Sequence, residues 1–132
     1  MSLTEDYRKL LEIWRSNYGR EHGWYVEYDD VCVAKLVDCE FFEMFWDAYR
    51  VVPVTNALRV EEADLKAPEF WEEVDRFRYR NRFTGDVAED AFAAADPLTE
   101  TGQLVVRGLY FDVRSPNLID RWINWALGGE KI

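Results

Sequence analysis

Residues 24–54 read WYVEYDDVCVAKLVDCEFFEMFWDAYRVVPV, and they hold three of the longest apolar and aromatic runs in the chain. Asp29 and Asp30 separate the first two runs, and short acidic side chains tolerate the backbone geometry of a tight turn. The pattern predicts a hairpin of two strands, residues 24–28 and residues 31–37, inside an antiparallel sheet. The second strand is nearly continuous in apolar residues, which is typical of a central strand covered by helices.

Three further strands are predicted outside this hairpin. One spans residues 44–52 and ends before Pro53, because proline cannot donate a ladder hydrogen bond. Residues 39–44 follow neither the helical period nor the strand period clearly, and an irregular or short helical crossing is expected there. The remaining strands are predicted over residues 76–83 and residues 103–113 from their alternating polarity.

Helical periodicity occurs at both ends of the chain. The first stripe consists of Tyr7, Leu10, Leu11, Trp14 and Tyr18, and the last consists of Leu118, Ile119, Trp122, Trp125 and Ala126. Both stripes are interpreted as faces that pack on the sheet. A docking face for a partner is the alternative for each, and for the last stripe this includes a homodimer, because tryptophan is enriched in interfaces. Shorter helices are predicted from Pro68 to about residue 75 and over residues 87–95.

Taken together, these patterns predict a single α+β domain over residues 1–132. The expected architecture is an antiparallel sheet of about five strands with the N-terminal and C-terminal helices packed on one face. The chain contains six Trp, seven Tyr and eight Phe, so the core is expected to be rich in aromatic residues.

Composition also restricts the location and the partners. The formal net charge is −10, which opposes binding to nucleic acid and to anionic membranes. The beginning of the chain lacks the basic and apolar regions of a signal peptide, and no apolar run has transmembrane length, so a cytoplasmic protein is expected. Cys32, Cys39 and His22 are the only cysteines and histidine, and their spacing does not suit a zinc site. No cofactor is expected.

The most distinctive polar pattern is RFRYRNRF at residues 76–83. In an extended chain its arginines share one side of the sheet, and these residues are Arg76, Arg78, Arg80 and Arg82. Such a row of guanidinium groups predicts a site for a phosphate or carboxylate ligand. Two alternatives stay open: acidic residues on neighbouring strands, such as Glu27, Glu43 or Asp112, neutralise the row, or the segment is helical and the row disappears.

Three other polar residues are candidates for chemistry. Asp47 and Arg107 each lie on the otherwise apolar side of a predicted strand. We therefore expect them to pair across the sheet. His22, in the connector before the first strand, is a candidate general base because imidazole is the side chain most often used for proton transfer. A solvated loop histidine is the alternative.

Three classes of function fit these features. The first is a small acidic binding module, without catalysis, that acts through protein–protein contacts. The second binds a small anionic ligand in a pocket lined by the arginine row and covered by a flap over residues 85–102. The third is an enzyme in which Asp47 acts as the base and Arg78, Arg80 and Arg107 stabilise negative charge, with His22 as a further candidate. The sequence leaves open whether the protein is an enzyme.

Overall fold

The computed structural model describes residues 4–54, 60–88, 90–94 and 96–132, and it shows a mixed α+β architecture. In chain order the elements are α1 (Glu5–Arg15), β1 (Trp24–Tyr28), β2 (Val31–Glu43), β3 (Trp46–Pro53), α2 (Glu62–Leu65), α3 (Pro68–Trp71), a 3₁₀ turn (Val74–Arg76), β4 (Phe77–Asn81), β5 (Phe92–Ala94), α4 (Asp96–Thr101), β6 (Gln103–Arg107) and α5 (Leu118–Ala126). The strands form one six-stranded sheet in the order β4-β1-β2-β3-β6-β5. All neighbouring strands are antiparallel.

The predicted hairpin at Asp29 and Asp30 is confirmed. The last paired residues of β1 and β2 are Tyr28 and Val31, and the two aspartates lie between them. The φ angles of Asp29 and Asp30 are 49° and 66°. Two-residue hairpin turns with positive φ at both positions match the twist of the flanking strands, and aspartate tolerates this conformation better than most residues.

Strand β2 is longer than predicted. Asp38 has a φ of 54°, and the pairing with β3 shifts register between Val37 and Glu40. Such a bulge absorbs an extra residue, after which the strand resumes. β2 therefore continues to Glu43, and the expected irregular or helical crossing over residues 39–44 is wrong.

The other elements differ mainly in length. Residues 77–81 are extended, as predicted, but β6 ends at Arg107 instead of continuing to residue 113. Within residues 87–95, where a helix was expected, Phe92–Ala94 forms the edge strand β5, which is the strand that raises the number above five; residues 89 and 95 lie outside the described part. The helix that begins at Pro68 ends after one turn.

One face of the sheet carries the main core. Its buried side chains come from every strand except the edge strand β5 and include Trp24, Val26, Leu36, Tyr49, Tyr79, Leu104 and Val106. Leu65 of α2, Trp71 of α3, Leu98 of α4 and the following Leu109 belong to the same cluster. The short helices in the connections therefore cover the sheet.

The N-terminal and C-terminal helices take a different position from the predicted one. The buried residues of α1 are Leu11, Ile13 and Trp14, and none of them belongs to the cluster that covers the sheet. The connector after α1 is tied to the sheet at Gly19, whose carbonyl accepts a hydrogen bond from Asn81 Nδ2 at 3.0 Å. The prediction that both terminal helices pack on one sheet face is thus not fully met, because the side chains of α5 that are buried form hydrogen bonds with α1 and not with a strand.

Candidate functional site

Helix α5 is attached to the rest of the protein by its polar side. Asp120 and Asn124 are its buried residues, with exposures of 3% and 2%. Tyr7 Oη donates to Asp120 Oδ1 at 2.6 Å, and Arg15 Nε donates to Asn124 Oδ1 at 2.6 Å. Arg114 Nη1 donates to Asp120 Oδ2 at 2.6 Å. Two helices that are far apart in the chain are therefore joined by hydrogen bonds that involve charged groups.

Asp120 combines several roles in this attachment. It forms a capping box with Asn117 at the start of α5, in which each side chain accepts a hydrogen bond from the other residue's backbone N–H. The hydrogen bond from Arg114 holds the pKa of the Asp120 carboxyl well below its usual range, although burial acts in the opposite direction. Burial and the bond to Asp120 raise the pKa of the Tyr7 phenol. The Asp120 carboxylate is therefore ionised at neutral pH and accepts every hydrogen bond that it makes.

The apolar side of α5 faces solvent. Leu118 is 80% exposed, Trp122 59% and Trp125 73%, and Ile119 and Leu127 are exposed as well. The prediction that the tryptophans of this stripe are core residues is therefore wrong. We call these five residues the outward face of α5.

A second group of exposed apolar side chains lies at the turn between β2 and β3. It consists of Phe41, Phe42, Met44 and Phe45, and we call it the hairpin tip. Phe45 has a φ of 69°, a conformation that glycine and asparagine adopt far more easily than an aromatic residue. The guanidinium of Arg107 lies over its ring, 5.7 Å from the centroid. An exposed aromatic ring on a strained backbone is a feature that is enriched at functional sites.

The arginine row is formed only in part. Arg78 and Arg80 project from β4 away from the core, whereas Phe77, Tyr79 and Asn81 are buried on the other side. Arg76 lies in the preceding 3₁₀ turn and Arg82 in the turn that follows the strand, so the regular alternation covers the two central arginines only.

Acidic residues of the β1–β2 hairpin neutralise most of this row. Arg76 contacts Asp29 through two guanidinium nitrogens, and its pKa is raised chiefly by these hydrogen bonds. Arg78 Nη1 lies 3.6 Å from an oxygen of Asp30.

The other two arginines of the row also have partners in the protein. Arg80 Nε lies 3.0 Å from an oxygen of Glu27, so the alternative that neighbouring acidic residues neutralise the row holds for Glu27. Glu43 and Asp112 do not take part: the carboxylates that the structure places on the row are those of the β1–β2 hairpin and Glu73. Arg82 Nη1 contacts the carbonyl of His22 at 3.4 Å.

Asp47 pairs with a residue that the sequence did not indicate. Its Oδ2 accepts a hydrogen bond from Arg20 Nε at 2.8 Å, and both side chains are largely buried. Asp47 lies opposite Val106 in the sheet, and Arg107 lies opposite Trp46. Adjacent strand residues project to opposite faces, so Arg107 cannot reach Asp47, and the predicted Asp47–Arg107 pair is wrong.

The candidate catalytic residues do not come together. Asp47 projects to the core face of β3, whereas Arg78 and Arg80 project to the other face of β4, with β1 and β2 between them. At ~4.8 Å per strand, three steps separate these groups by roughly 14 Å even before the change of face. His22 stacks on Phe83, with ring centroids 4.4 Å apart, and does not contact Asp47.

Two clefts lined by described residues contain neither Asp47 nor His22. A cleft of about 180 Å³ is lined by Tyr18, Arg20, Tyr110 and Asp112, and it contains none of the four arginines of the row. The proposed flap over residues 85–102 contains β5, α4 and the buried Leu98, so its described residues are part of the fold and not a loop over a pocket. Within the described ranges, no three His, Cys, Asp or Glu side chains are grouped as a metal ion would require.

No protein-family model, curated protein or solved structure matches the chain. Of the helices in the described part of the chain, none combines the length and the apolar character that a membrane crossing requires.

Proposed function

We propose that the protein is a non-catalytic binding module that acts through protein–protein contacts made by the outward face of α5. The observation that carries this function is the orientation of the helix. Asp120 and Asn124 are buried while Trp122 and Trp125 face solvent, which reverses the usual arrangement of an amphipathic surface helix. The apolar side is therefore free to bind another molecule.

The size and composition of this face suit a protein partner. From their exposed fractions, Trp122 and Trp125 together present roughly 250 Å² of side-chain surface. With Leu118, Ile119 and Leu127 the face reaches the range of ~300–600 Å² found for the largest apolar patch of a monomer, which is often functional. Tryptophan is also the residue type most enriched among those that dominate binding energy.

The spacing of the face matches a known way of binding. Leu118, Trp122 and Trp125 stand at i, i+4 and i+7, the positions with which an amphipathic helix fills an apolar groove of a partner. Because Asp120 and Asn124 hold the helix in place through charged hydrogen bonds, little conformational entropy is lost when the face is covered. The helix is thus preorganised for binding.

Charge argues for a protein as the partner and for a location inside the cell. A net charge of −10 repels nucleic acid and anionic lipid surfaces, and it favours solubility at high concentration. Both cysteines of the described structure, Cys32 and Cys39, are free thiols, as is usual in a reducing compartment. The arginine row is a weaker basis for function, because Arg76, Arg78 and Arg80 already face carboxylates.

Site-specific photocrosslinking in native cells tests this function. A benzophenone amino acid replaces Trp122 in the full-length protein, and the same amino acid replaces Glu72, an exposed residue of another surface, in the control. We expect a discrete protein adduct from position 122 only, and we expect the added Trp125→Ala substitution to abolish it. Equal adducts from both positions, or none from position 122, would overturn the proposed function.

A further inference from the structure

The connector between α1 and β1 enters the sheet at the end that carries the hairpin tip. Trp24, where the connector from α1 enters the sheet, lies opposite Leu36 of β2. Beyond this pair, β2 and β3 continue to the hairpin tip without β1 and β4, while β6 stays paired with β3 as far as Trp46. Arg20 of the connector reaches Asp47 near the base of the tip. Since α5 is hydrogen-bonded to α1, and α1 leads into this connector, we place the outward face of α5 on the side of the molecule that carries the hairpin tip.

The two surfaces carry opposite charges. The segment that contains the hairpin tip, residues 38–47, has four acidic residues and no basic one. Asp38 and Asp47 are paired with arginines of the same chain, which leaves Glu40 and Glu43 as the acidic side chains beside the exposed rings, with Arg107 as the neighbouring cation.

Around α5 the balance is reversed. Residues 114–132 carry three basic and two acidic residues; Arg114 and Asp120 neutralise each other, which leaves Arg121 and Lys131 against Glu130. Arg121 is exposed on α5 itself, and its guanidinium makes no hydrogen bond or ion pair among the described residues. In a chain with a net charge of −10, α5 is therefore a locally basic surface.

We infer that the partner is a second copy of this chain, and that the hairpin tip of each copy docks on the outward face of α5 of the other. This inference rests on the proposed function, because it uses the same face and names what covers it. An exchange of this kind has a two-fold axis, so both contacts are equivalent and the assembly closes as a dimer. Glu43 then lies near Arg121 of the other copy in each contact.

The available area is sufficient for such a dimer. The two surfaces contribute nine exposed apolar side chains per copy. If each buries on the order of 100 Å², each copy buries ~900 Å², compared with ~800 Å² per partner in protein interfaces of standard size. Either surface alone falls short of this value. Apolar contact between two copies also has to overcome the repulsion between their net negative charges, and the opposite local charges of the two surfaces reduce that repulsion.

Sedimentation equilibrium of the purified full-length protein across the micromolar range provides the test. We expect a monomer–dimer equilibrium that weakens at least ~30-fold in Trp122→Ser/Trp125→Ser and, equally, in Phe41→Ser/Met44→Ser. Glu43→Arg and Arg121→Glu are each expected to weaken the dimer by roughly tenfold, and their combination in one chain restores it. The circular dichroism of each variant confirms that it is folded.

Mixing of variants decides between this exchange and other dimers. Copies with a defective hairpin tip and copies with a defective α5 face retain one of the two contacts between them, so we expect a mixed dimer that is weaker than the wild-type dimer but stronger than the homodimer of either variant. A wild-type monomer throughout the range, normal dimers of the hairpin-tip variant, or no mixed dimer would overturn the inference. A crosslinked adduct with a different protein, together with a monomeric wild type, would leave the proposed function standing and remove only the second copy as the partner.

Discussion

The phenol of Tyr7 donates a hydrogen bond to the carboxylate of Asp120, with 2.6 Å between Oη and Oδ1, and this contact joins the first helix of the chain to the last. Asp120 is buried at 3% exposure, so the direction in which α5 faces depends on where this carboxylate is held. This hydrogen bond therefore contributes to stability, and under the proposed function it also orients the binding surface.

Replacing the phenol tests the energetic part of this relationship. We expect Tyr7→Phe to lower the free energy of unfolding by about 1.5 kcal/mol, because a hydrogen bond to a charged acceptor is lost inside the protein. Urea denaturation at neutral pH measures the change. The matched control is Tyr25→Phe, whose hydroxyl donates no hydrogen bond among the described residues and whose removal should change stability by less than ~0.5 kcal/mol. Equal effects of the two substitutions would contradict the role of the Tyr7 contact.

The pH dependence of stability tests the ionised state of Asp120. Its pKa is lowered in the folded protein, first of all by the hydrogen bond from Arg114. The pKa of an aspartate carboxyl in the unfolded chain is about 3.9, so the stabilisation is fully present above that pH and is lost as the pH falls toward the folded pKa. We therefore expect Asp120→Asn to be less stable than the wild type at neutral pH, and the difference to shrink below about pH 4. A difference that grows on acidification would show that the carboxylate is not stabilised as the structure implies.

Tryptophans at buried and exposed positions should respond very differently to truncation. Trp122→Ala and Trp125→Ala remove exposed rings, so we expect each to change the free energy of unfolding by less than ~0.5 kcal/mol under conditions in which the protein is monomeric. Trp71→Ala should lower it by ~3–5 kcal/mol, because that ring is 1% exposed and its Nε1 donates to the carbonyl of Leu65. Thermal and urea denaturation of the three variants give the comparison. A large loss in either exposed variant would mean that the outward face is covered within one chain.

The backbone at the hairpin tip can be tested with glycine. Phe45 has a positive φ, so Phe45→Gly relieves strain, and the exposed contact with Arg107 that it removes is worth only ~0.5 kcal/mol. We expect this variant to be as stable as the wild type or more stable. Met44→Gly, in the same turn at a position without positive φ, should be less stable by ~0.5–1 kcal/mol. If both glycine substitutions lower the free energy of unfolding equally, the backbone at residue 45 is not strained.

Two double-mutant cycles distinguish the observed Arg20–Asp47 ion pair from the Asp47–Arg107 pair that was predicted from the sequence. We expect Arg20→Met and Asp47→Met to show a coupling of about 1–2 kcal/mol, because the two side chains are hydrogen-bonded and largely buried. Arg107→Met and Asp47→Met should be additive, since these side chains project to opposite faces of the sheet. Coupling in the second cycle would require a different register between β3 and β6.

Local patterns in the sequence were sufficient to predict the strands and turns whose conformation depends on residues close by in the chain. The turn at Asp29 and Asp30 and the extended conformation of residues 77–81 follow from side-chain alternation and turn propensity, and both are present. The pairing of Asp47 with Arg20 could not be found in this way. The bulge at Asp38 changes the register of β2, and Arg20 reaches the sheet from a connector without regular periodicity.

The orientation of α5 was mispredicted for a related reason. The helix has an apolar stripe with Trp122 and Trp125 and a polar pair, Asp120 and Asn124, one turn apart on another side. Periodicity identifies both sides, but only the partners decide which of them is buried. Those partners include Tyr7 and Arg15, more than a hundred positions earlier in the chain. The capping box at residues 117–120 was the one local signal that Asp120 has a structural role.

The separation of α1 and α5 from the main core has a consequence for native-state hydrogen exchange. Their buried residues lie outside the cluster that covers the sheet, and side-chain hydrogen bonds join the two helices. The helix pair can therefore open as a cooperative unit while β1, β2 and β3 remain folded, so its amide protons should exchange with solvent deuterium sooner than those of the central strands. Binding at the outward face of α5 would slow this exchange, because the partner has to be released before the pair can open.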